Sequence, residues 1–297
     1  MAMALSSKNR AAWLLLTPMI VIMVVVTGFP LLNTIWLAFT DASLTGNGYD
    51  WSWSGLENFA YIIDDDDFRA TLGHTVYFTM VSVAIEVALG VLVALLLNQE
   101  FHGRTLVRAL LILPWALPTI VNAVMWRLIY NPEFGSLNAL LVQIGVMDSY
   151  RSWLGNPDTV MNAVILADAW KNYPLIALIV LAGLQTIPKD LYEAAVMDGA
   201  NAWVRFWNVT LPGILGPLSV ALVLRAIEAF KVFDIIYVMT RGGPADSTKT
   251  ASFFVYQESF TYLRAGSGAA YALTVTAISG VMIATYVFML RRRERRA

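Results

Sequence analysis

DLYEAAVMDGANAWVRFWNVTLP, residues 190–212, is a short charged stretch between two of the most apolar runs of the chain, at about 160–184 and 211–237. Each run is long enough to cross a bilayer, because a hydrocarbon core about 30 Å thick needs roughly 20 apolar residues in a helix. The stretch between them carries three acids and one arginine. This pattern predicts a membrane protein in which the charged stretch forms a loop outside the lipid.

The composition of the whole chain agrees with a membrane location. Of its 297 residues, 58% are hydrophobic and 14% are charged, whereas soluble domains carry about 25% charged residues. Six apolar stretches approach or reach the length of a membrane span. They predict an all-α fold that forms one transmembrane domain over residues 1–297, with helices at about 12–39, 75–97, 106–129, 160–184, 211–237 and 271–290.

The sequence lacks the residues that several classes of function require. The net charge of −1 and the absence of a basic face give no sign of a nucleic-acid partner. There is no cysteine for a disulfide, a thiolate metal site or a thiol nucleophile, and the two histidines, His74 and His102, are far apart. No phosphate-binding loop of the form G-x-x-x-x-G-K-[ST] occurs. We therefore expect no catalytic residue, no metal and no cofactor in this chain.

Basic residues between the predicted spans indicate the orientation. The segments on the amino-terminal side of the membrane hold 11 of the 20 basic residues, whereas the opposite loops hold DDDD at 64–67 and most of the other acids. Because lysine and arginine are enriched in short cytoplasmic loops, both termini and the loop at 186–210 are predicted to be cytoplasmic. The 11 residues are Lys8, Arg10, Arg104, Arg108, Lys189, Arg205, Arg291, Arg292, Arg293, Arg295 and Arg296.

The loop at 186–210 has the signals of two short helices. Pro188 and the acids that follow it suit a first helical turn. Gly199 suits a left-handed helix end, and Asn201 suits the cap of a second helix. Leu211 and Pro212 are expected to break the chain before it re-enters the membrane. The sequence thus predicts a cytoplasmic elbow, either an ordinary amphipathic interfacial loop or a docking element for another protein.

The motif EAAVMDGANAWVRFWNVTLP resembles the cytoplasmic EAA loop of ABC-importer permeases, and this resemblance favours docking. The matching positions are Glu193, Ala194, Ala195, Gly199, Leu211 and Pro212. The resemblance implies that the loop couples the chain to an ATP-hydrolysing partner subunit. The residues expected to carry this coupling are Glu193, Ala194, Ala195, Asp198 and Gly199.

Two further stretches are similar to the carbohydrate-uptake branch of these permeases, near the maltose and glycerol-phosphate systems. They are FKVFDIIYVMTRGGP at 230–244 and WKNYPLIALIVLAGLQTIPKDLYEAA at 170–195. The resemblance implies the type I importer fold in its six-helix form, in a bacterial cytoplasmic (inner) membrane. It also implies a second homologous permease, an ATPase dimer that binds ATP and Mg²⁺, and an extracytoplasmic substrate-binding protein.

Charged residues within the predicted spans are candidates for the substrate path. A charge at the centre of a membrane helix costs roughly 2.5–3.5 kcal/mol, so these residues should face the bundle interior or a water-filled path. Asp168 with Lys171, and Arg225 with Glu228, could also form structural pairs three residues apart. By the resemblance, sugar-contacting positions correspond to Trp170, Lys171, Asn172, Leu175, Arg225, Glu228 and Val232.

The favoured function is therefore the permease subunit of an ATP-driven importer of a disaccharide or glycoside, without enzymatic activity of its own. The same kind of permease could instead carry glycerol phosphate or another anionic polyol derivative, because Lys171 and Arg225 would suit an anion. An alternative class is a secondary transporter, in which Glu86, Asp168 and Glu228 would bind protons or sodium. That class would leave the EAA motif without a role.

Overall fold

A computed structural model describes residues 7–45 and 48–294 of the chain. Most of these residues are helical. The charges at Arg295 and Arg296, which contributed to the predicted orientation, lie outside the described residues, as do the two ends of the chain. The helices are α1 Ser7–Met23, α2 Phe29–Leu37, α3 Glu57–Asp64, α4 Asp66–Asn98, α5 Arg104–Ala116, α6 Thr119–Ile129, α7 Ser136–Gln143, α8 Pro157–Leu184, α9 Lys189–Met197, α10 Ala202–Arg205, α11 Leu211–Phe230, α12 Asp234–Met239, α13 Ala251–Tyr256 and α14 Ala265–Glu294.

The predicted all-α membrane fold is confirmed. Within the described residues, five helices are long and apolar enough to cross a membrane, and a sixth span is obtained if the bent pair α5 and α6 is counted as one. Several helices begin before their apolar runs because polar residues form the first turn. Asp66 and Asp67 open α4, and the Asn156 side chain accepts a hydrogen bond from the Asp158 amide at the start of α8.

The third predicted span, 106–129, is not one continuous helix. α5 and α6 meet at an angle of 95° around Leu117 and Pro118. Pro118 has no amide hydrogen to continue the helix, and its ring disfavours the helical conformation of the preceding residue. Leu117 accordingly is extended, with φ −70° and ψ 138°. Pro118 therefore produces a real break rather than a mild kink.

The fifth predicted span has different ends from those expected. The helix runs without interruption from Ala202 to Phe230 and stops there, so the predicted break at Leu211 and Pro212 is wrong. Residues 206–210 form a π-helical turn, in which the Leu211 amide donates to the Phe206 carbonyl. The wider turn accommodates Pro212, which has no amide hydrogen to donate. The predicted second short helix of the elbow is thus the first turn of the fifth span.

The chain forms two compact units. One comprises Met1–Asp65 and Val255–Ala277. It contains the span from Trp13 to Leu37, and a small antiparallel hairpin, β1 Ser43–Thr45 with β2 Gly48–Asp50, that was not predicted. Beside the hairpin, the amide and the hydroxyl of Ser52 donate to the Asp41 carboxylate, which lowers the pKa of Asp41.

The other unit comprises Asp66–Phe254 and Ile278–Ala297 and contains the predicted site residues. In it α4 packs along α8, and both contact α11. Their shared core contains Leu97, Ile176 and Ile214, which are all buried. Small residues bring the helices close, as is typical of membrane helix pairs. A Cβ atom added to Gly90 of α4 would lie 2.7 Å from Cγ2 of Ile176 in α8.

This close approach gives the first testable prediction. We expect Gly90→Ala to lower the free energy of unfolding by about 1–3 kcal/mol, because α4 and α8 would have to separate. Thermal unfolding of the purified protein in detergent would measure the change. Gly73→Ala is the matched control, since Gly73 lies in the same helix and an added Cβ there meets no atom within 4 Å. Equal melting temperatures for the two variants would contradict the packing argument.

Candidate functional site

A polar pocket of about 390 Å³ lies where α8, α11 and the start of α12 come together with the junction of α5 and α6. Five of the seven residues predicted to line a substrate path are among its lining: Lys171, Asn172, Arg225, Glu228 and Val232. The sequence-based set omitted other lining residues of this pocket. These include Asp168, Lys231, Asp234, Trp115 and Thr119.

The remaining two predicted residues do not line this pocket. Trp170 lies edge-on to Trp126 of α6, with ring centroids 6.0 Å apart. Leu175 is half-buried on α8. On a helix, neighbouring residues in sequence point in different directions, so only some of positions 170–175 face one cavity.

Arg225 is the centre of a charged cluster in the wall of the pocket. Its Nε donates to Oε2 of Glu86 over 2.6 Å, and its Nη2 donates to Oε1 of Glu86 over 2.7 Å. Nη2 also donates to Oδ2 of Asp168 over 3.1 Å, and Nη1 donates to Oε2 of Glu228 over 2.8 Å. One guanidinium thus connects carboxylates from α4, α8 and α11. We call these four residues the Arg225 cluster.

Two neutral side chains complete the hydrogen bonding of the cluster. The Ser82 hydroxyl donates to Oε1 of Glu86 over 2.9 Å and lies 3.0 Å from Oδ2 of Asp168. The Asn172 amide nitrogen donates to the Asp168 carbonyl and to its Oδ1, both over 3.0 Å. The buried carboxylates therefore have partners, as groups removed from water require.

The pairing of charges differs in part from the expectation. Arg225 and Glu228 do form the predicted pair, but Asp168 binds Arg225 rather than Lys171. Asp168 and Lys171 both line the pocket, but the Asp168 side chain is largely buried against Arg225. Within the described part of the chain, Lys171 and Lys231 form no ion pair. Both amines are therefore available to a ligand in the pocket.

Glu86 is the cluster member that sequence reasoning left outside the site. Its only signal was a carboxylate within an apolar helix, which calls for a cation on another helix. Glu86 and Arg225 are separated by 139 positions, so no local spacing identifies the partner.

A larger cavity of about 480 Å³ lies between α11 and α14. Its lining is almost entirely apolar, with residues such as Leu222, Phe230 and Met282. Such a lining has few donors or acceptors for a polar ligand. The smaller polar pocket is therefore the better candidate for a binding site.

The predicted elbow forms a second candidate site at the other end of α8. α9 contains Glu193 and Ala194, which are exposed, and ends before Gly199, which has a left-handed φ of 77°. The Asn201 side chain then accepts a hydrogen bond from the Val204 amide over 2.9 Å. These local features agree with the pattern read from the sequence.

The elbow is attached to the fifth span but presents an open face. The Tyr192 hydroxyl lies 3.1 Å from Oγ1 of Thr210, which joins α9 to the π turn. In contrast, Met197 is 87% exposed, and Leu191 and Val196 are about half exposed. Asp198 is exposed beside them, whereas Ala195 is half-buried. A small exposed helix with apolar side chains beside acidic ones is suited to contact another protein.

Residues 86–296 match the family model described as "Binding-protein-dependent transport system inner membrane component". The matched region contains the pocket, the Arg225 cluster and the elbow.

Three relatives match over most of their length. The trehalose/maltose transport system permease protein of Thermococcus litoralis is 38% identical over 97% of this chain and 96% of its own. The sulfoquinovosyl glycerol transport system permease protein of Agrobacterium fabrum is 35% identical over 95% of this chain and 91% of its own. The trehalose transport system permease protein of Mycobacterium tuberculosis is 33% identical over 95% of this chain and 89% of its own.

Solved structures show the same fold. A chain of a bacterial ABC transporter involved in the import of the acidic polysaccharide alginate superposes with a TM-score of 0.83 at 22% identity, over 96% of both chains. A chain of a bacterial alginate ABC transporter in complex with an alginate pentasaccharide-bound periplasmic protein gives a TM-score of 0.82 at 21% identity, over 96% of this chain and 95% of that one.

Proposed function

Since the chain belongs to the family of binding-protein-dependent transport system inner membrane components, we propose that it forms part of the membrane path of an ATP-driven importer for a disaccharide or glycoside. It is an integral membrane permease of the carbohydrate-uptake branch. The proposal treats residues 1–297 as one permease domain. The chain itself supplies a path, and ATP and Mg²⁺ are bound by a partner ATPase.

The polar pocket is the observation that carries this proposal. Its lining offers donors at Lys171 and Lys231, acceptors at Glu228 and Asp234, and an indole at Trp115. A sugar hydroxyl both donates and accepts hydrogen bonds, so it can bind between groups of opposite kind. An aromatic ring beside such groups can cover an apolar face of the sugar.

The transport energy would reach the chain through the elbow. We propose that Glu193, Ala194, Ala195, Asp198 and Gly199 dock into the ATPase, with the elbow and both termini on the cytoplasmic side of a bacterial inner membrane. A second homologous permease would complete the path, because one elbow engages one ATPase subunit. An extracytoplasmic binding protein would deliver the sugar, in keeping with the description of the family.

Transport driven by an ion gradient is less compatible with the Arg225 cluster. That class of transporter would use Glu86, Asp168 and Glu228 as proton or sodium sites. All three carboxylates bind the guanidinium of Arg225 instead. Uptake of labelled trehalose and maltose by vesicles that contain the complete transporter separates the two classes. We expect uptake to require ATP inside the vesicle, and uptake that follows a proton gradient without ATP would overturn the proposal.

The pocket makes a prediction for Asn172. We expect Asn172→Leu, which keeps the side-chain size but removes its hydrogen bonds, to lower sugar uptake about 5- to 30-fold, since one or two polar contacts at about 1 kcal/mol each are lost. Uptake and co-purification of the ATPase would both be measured. Asn162→Leu in the same helix is the matched control, because Asn162 is exposed and bonds Tyr77 outside the pocket. Normal uptake by Asn172→Leu would remove Asn172 from the path.

A further inference from the structure

Glu86 lies behind the pocket rather than in its lining. Its side chain has no exposure to solvent, and it belongs to α4, whereas the charged residues of the pocket belong to α8, α11, α12 and the segment between the last two. Both of its carboxylate oxygens bind the guanidinium of Arg225, at Nε and Nη2. Glu86 therefore cannot touch a ligand in the pocket, yet it holds a residue that lines it.

The geometry of this pair fixes the orientation of the Arg225 side chain. Two parallel hydrogen bonds between a guanidinium and a carboxylate define a plane as well as a distance. With Nε and Nη2 bound to Glu86, the third nitrogen, Nη1, is directed to Glu228 over 2.8 Å. Asp168 supports the same arrangement from α8 through its contact with Nη2.

The partners of Arg225 differ sharply in exposure. The side chains of Glu86 and Asp168 are 0% and 9% exposed, whereas that of Glu228 is 60% exposed. A ligand in the pocket could exchange with Glu228 at Nη1, but it could not reach Glu86, which does not line the pocket. The nitrogen that faces the exposed carboxylate, Nη1, is thus the one whose direction Glu86 sets.

We infer that Glu86 is a positioning residue for substrate binding: its bidentate bond to Arg225 holds Nη1 toward the pocket, beside the Glu228 carboxylate, where the two groups together bind adjacent hydroxyls of a carbohydrate. Nη1 donates to one hydroxyl oxygen, and the Glu228 carboxylate accepts from the neighbouring hydroxyl. This inference rests on the proposed function, since it assigns the polar pocket to the substrate.

A purely structural ion pair between α4 and α11 would have different consequences. Such a pair would only stabilise the folded transporter, so its loss in Glu86→Gln would reduce the amount of complex without changing the KM of what remains. Loss of a positioning pair would instead raise the KM of the folded transporter, because Nη1 would no longer be held toward the pocket. The KM of Glu86→Gln therefore separates the two roles.

The test uses the complete transporter in vesicles, with labelled trehalose and maltose as the probes. Glu86→Gln leaves Arg225 with two carboxylates and is expected to raise the KM for uptake about tenfold or more, with the maximal rate within about twofold, because the guanidinium is no longer held in one plane. Thr79→Val, a buried change on the same helix away from the cluster, should leave KM unchanged.

Each other outcome has a definite meaning. An unchanged KM in Glu86→Gln, or a loss of complex with unchanged KM in what remains, would overturn the positioning role. Arg225→Lys keeps the positive charge but loses the paired donors of the guanidinium. A normal KM in this variant would instead show that Arg225 does not bind the substrate, and it would overturn the proposed path. Uptake of neither sugar by the wild type would count against the proposed substrate class.

Discussion

Gly199→Pro is expected to abolish substrate-stimulated ATP hydrolysis by the reconstituted transporter while the chain remains inserted in the membrane. Gly199 has a φ of 77°, whereas the proline ring fixes φ near −65°. The Gly199 amide also donates to the Val196 carbonyl over 3.0 Å, and proline has no such donor. The end of α9 would therefore lose its shape, and with it the surface proposed to dock into the ATPase.

A second left-handed glycine provides a matched control for this prediction. Gly145 follows α7 with a φ of 73°, and its amide donates to Val142 over 3.1 Å. Gly145→Pro thus makes the same local change in the loop before α8, at the opposite end of that helix from the elbow. We expect the ATPase to co-purify with Gly145→Pro but not with Gly199→Pro. Stimulated hydrolysis and co-purification at wild-type levels in Gly199→Pro would remove the coupling role of the elbow.

The charge of the exposed helix should matter as well as its shape. Glu193→Lys reverses a charge on the open face of α9 without altering the left-handed turn. We expect it to abolish the stimulated hydrolysis too. This companion variant separates recognition by the ATPase from the local fold of the elbow.

The other large effect is expected at Arg225. Arg225→Met would leave the three carboxylates of the cluster without their cation, and Glu86 and Asp168 have almost no access to water. Removing one partner of a buried ion pair typically costs about 3–5 kcal/mol. The free energy of unfolding of the protein in detergent, followed by heat or denaturant, would show this loss.

A compensated variant tests whether the unpaired charges cause the loss. Adding Glu86→Gln and Asp168→Asn to Arg225→Met removes the two buried negative charges and should recover most of the stability. This variant is not expected to transport, because the pocket lacks its guanidinium. Wild-type stability in Arg225→Met alone would show that the cluster does not hold the helices together.

Features determined by neighbouring residues were predictable from the sequence. Gly199 and Asn201 have the conformations that their local patterns indicate, because a left-handed helix end and an N-cap depend on a few adjacent residues. The apolar runs likewise predicted the membrane helices, since length and hydropathy are sufficient for that purpose. The polar first turns of α4 and α8 were missed because they add no hydropathy.

Features that depend on the response of the backbone to proline were harder to predict. Pro118 breaks the third span, whereas Pro212, Pro174 and Pro217 lie in helices that continue. The difference at Pro212 comes from a π turn, which no residue pattern in the sequence announces. Whether a proline ends a helix thus depends on how neighbouring carbonyl groups find other partners.

Several residues of the candidate site were predictable from the sequence, but the ion pairs that join them were not. Charges within apolar helices indicated Lys171, Arg225 and Glu228, and these residues do line one pocket. The bond between Glu86 and Arg225 depends on how α4 packs against α11, which spacing along the chain does not reveal. Spacing of three residues favoured an Asp168–Lys171 pair, but Asp168 binds Arg225 on α11 instead.

The unbroken helix from Ala202 to Phe230 has a mechanical consequence. At 1.5 Å per residue, about 35 Å of continuous rod separates Ala202 from Arg225, with no hinge between them. If a partner ATPase tilts the end that carries Trp203, as the proposed coupling requires, we expect the same helix to displace Arg225 and Glu228. The π turn keeps Pro212 within this helix, so the proposed docking surface and the polar pocket share one continuous element.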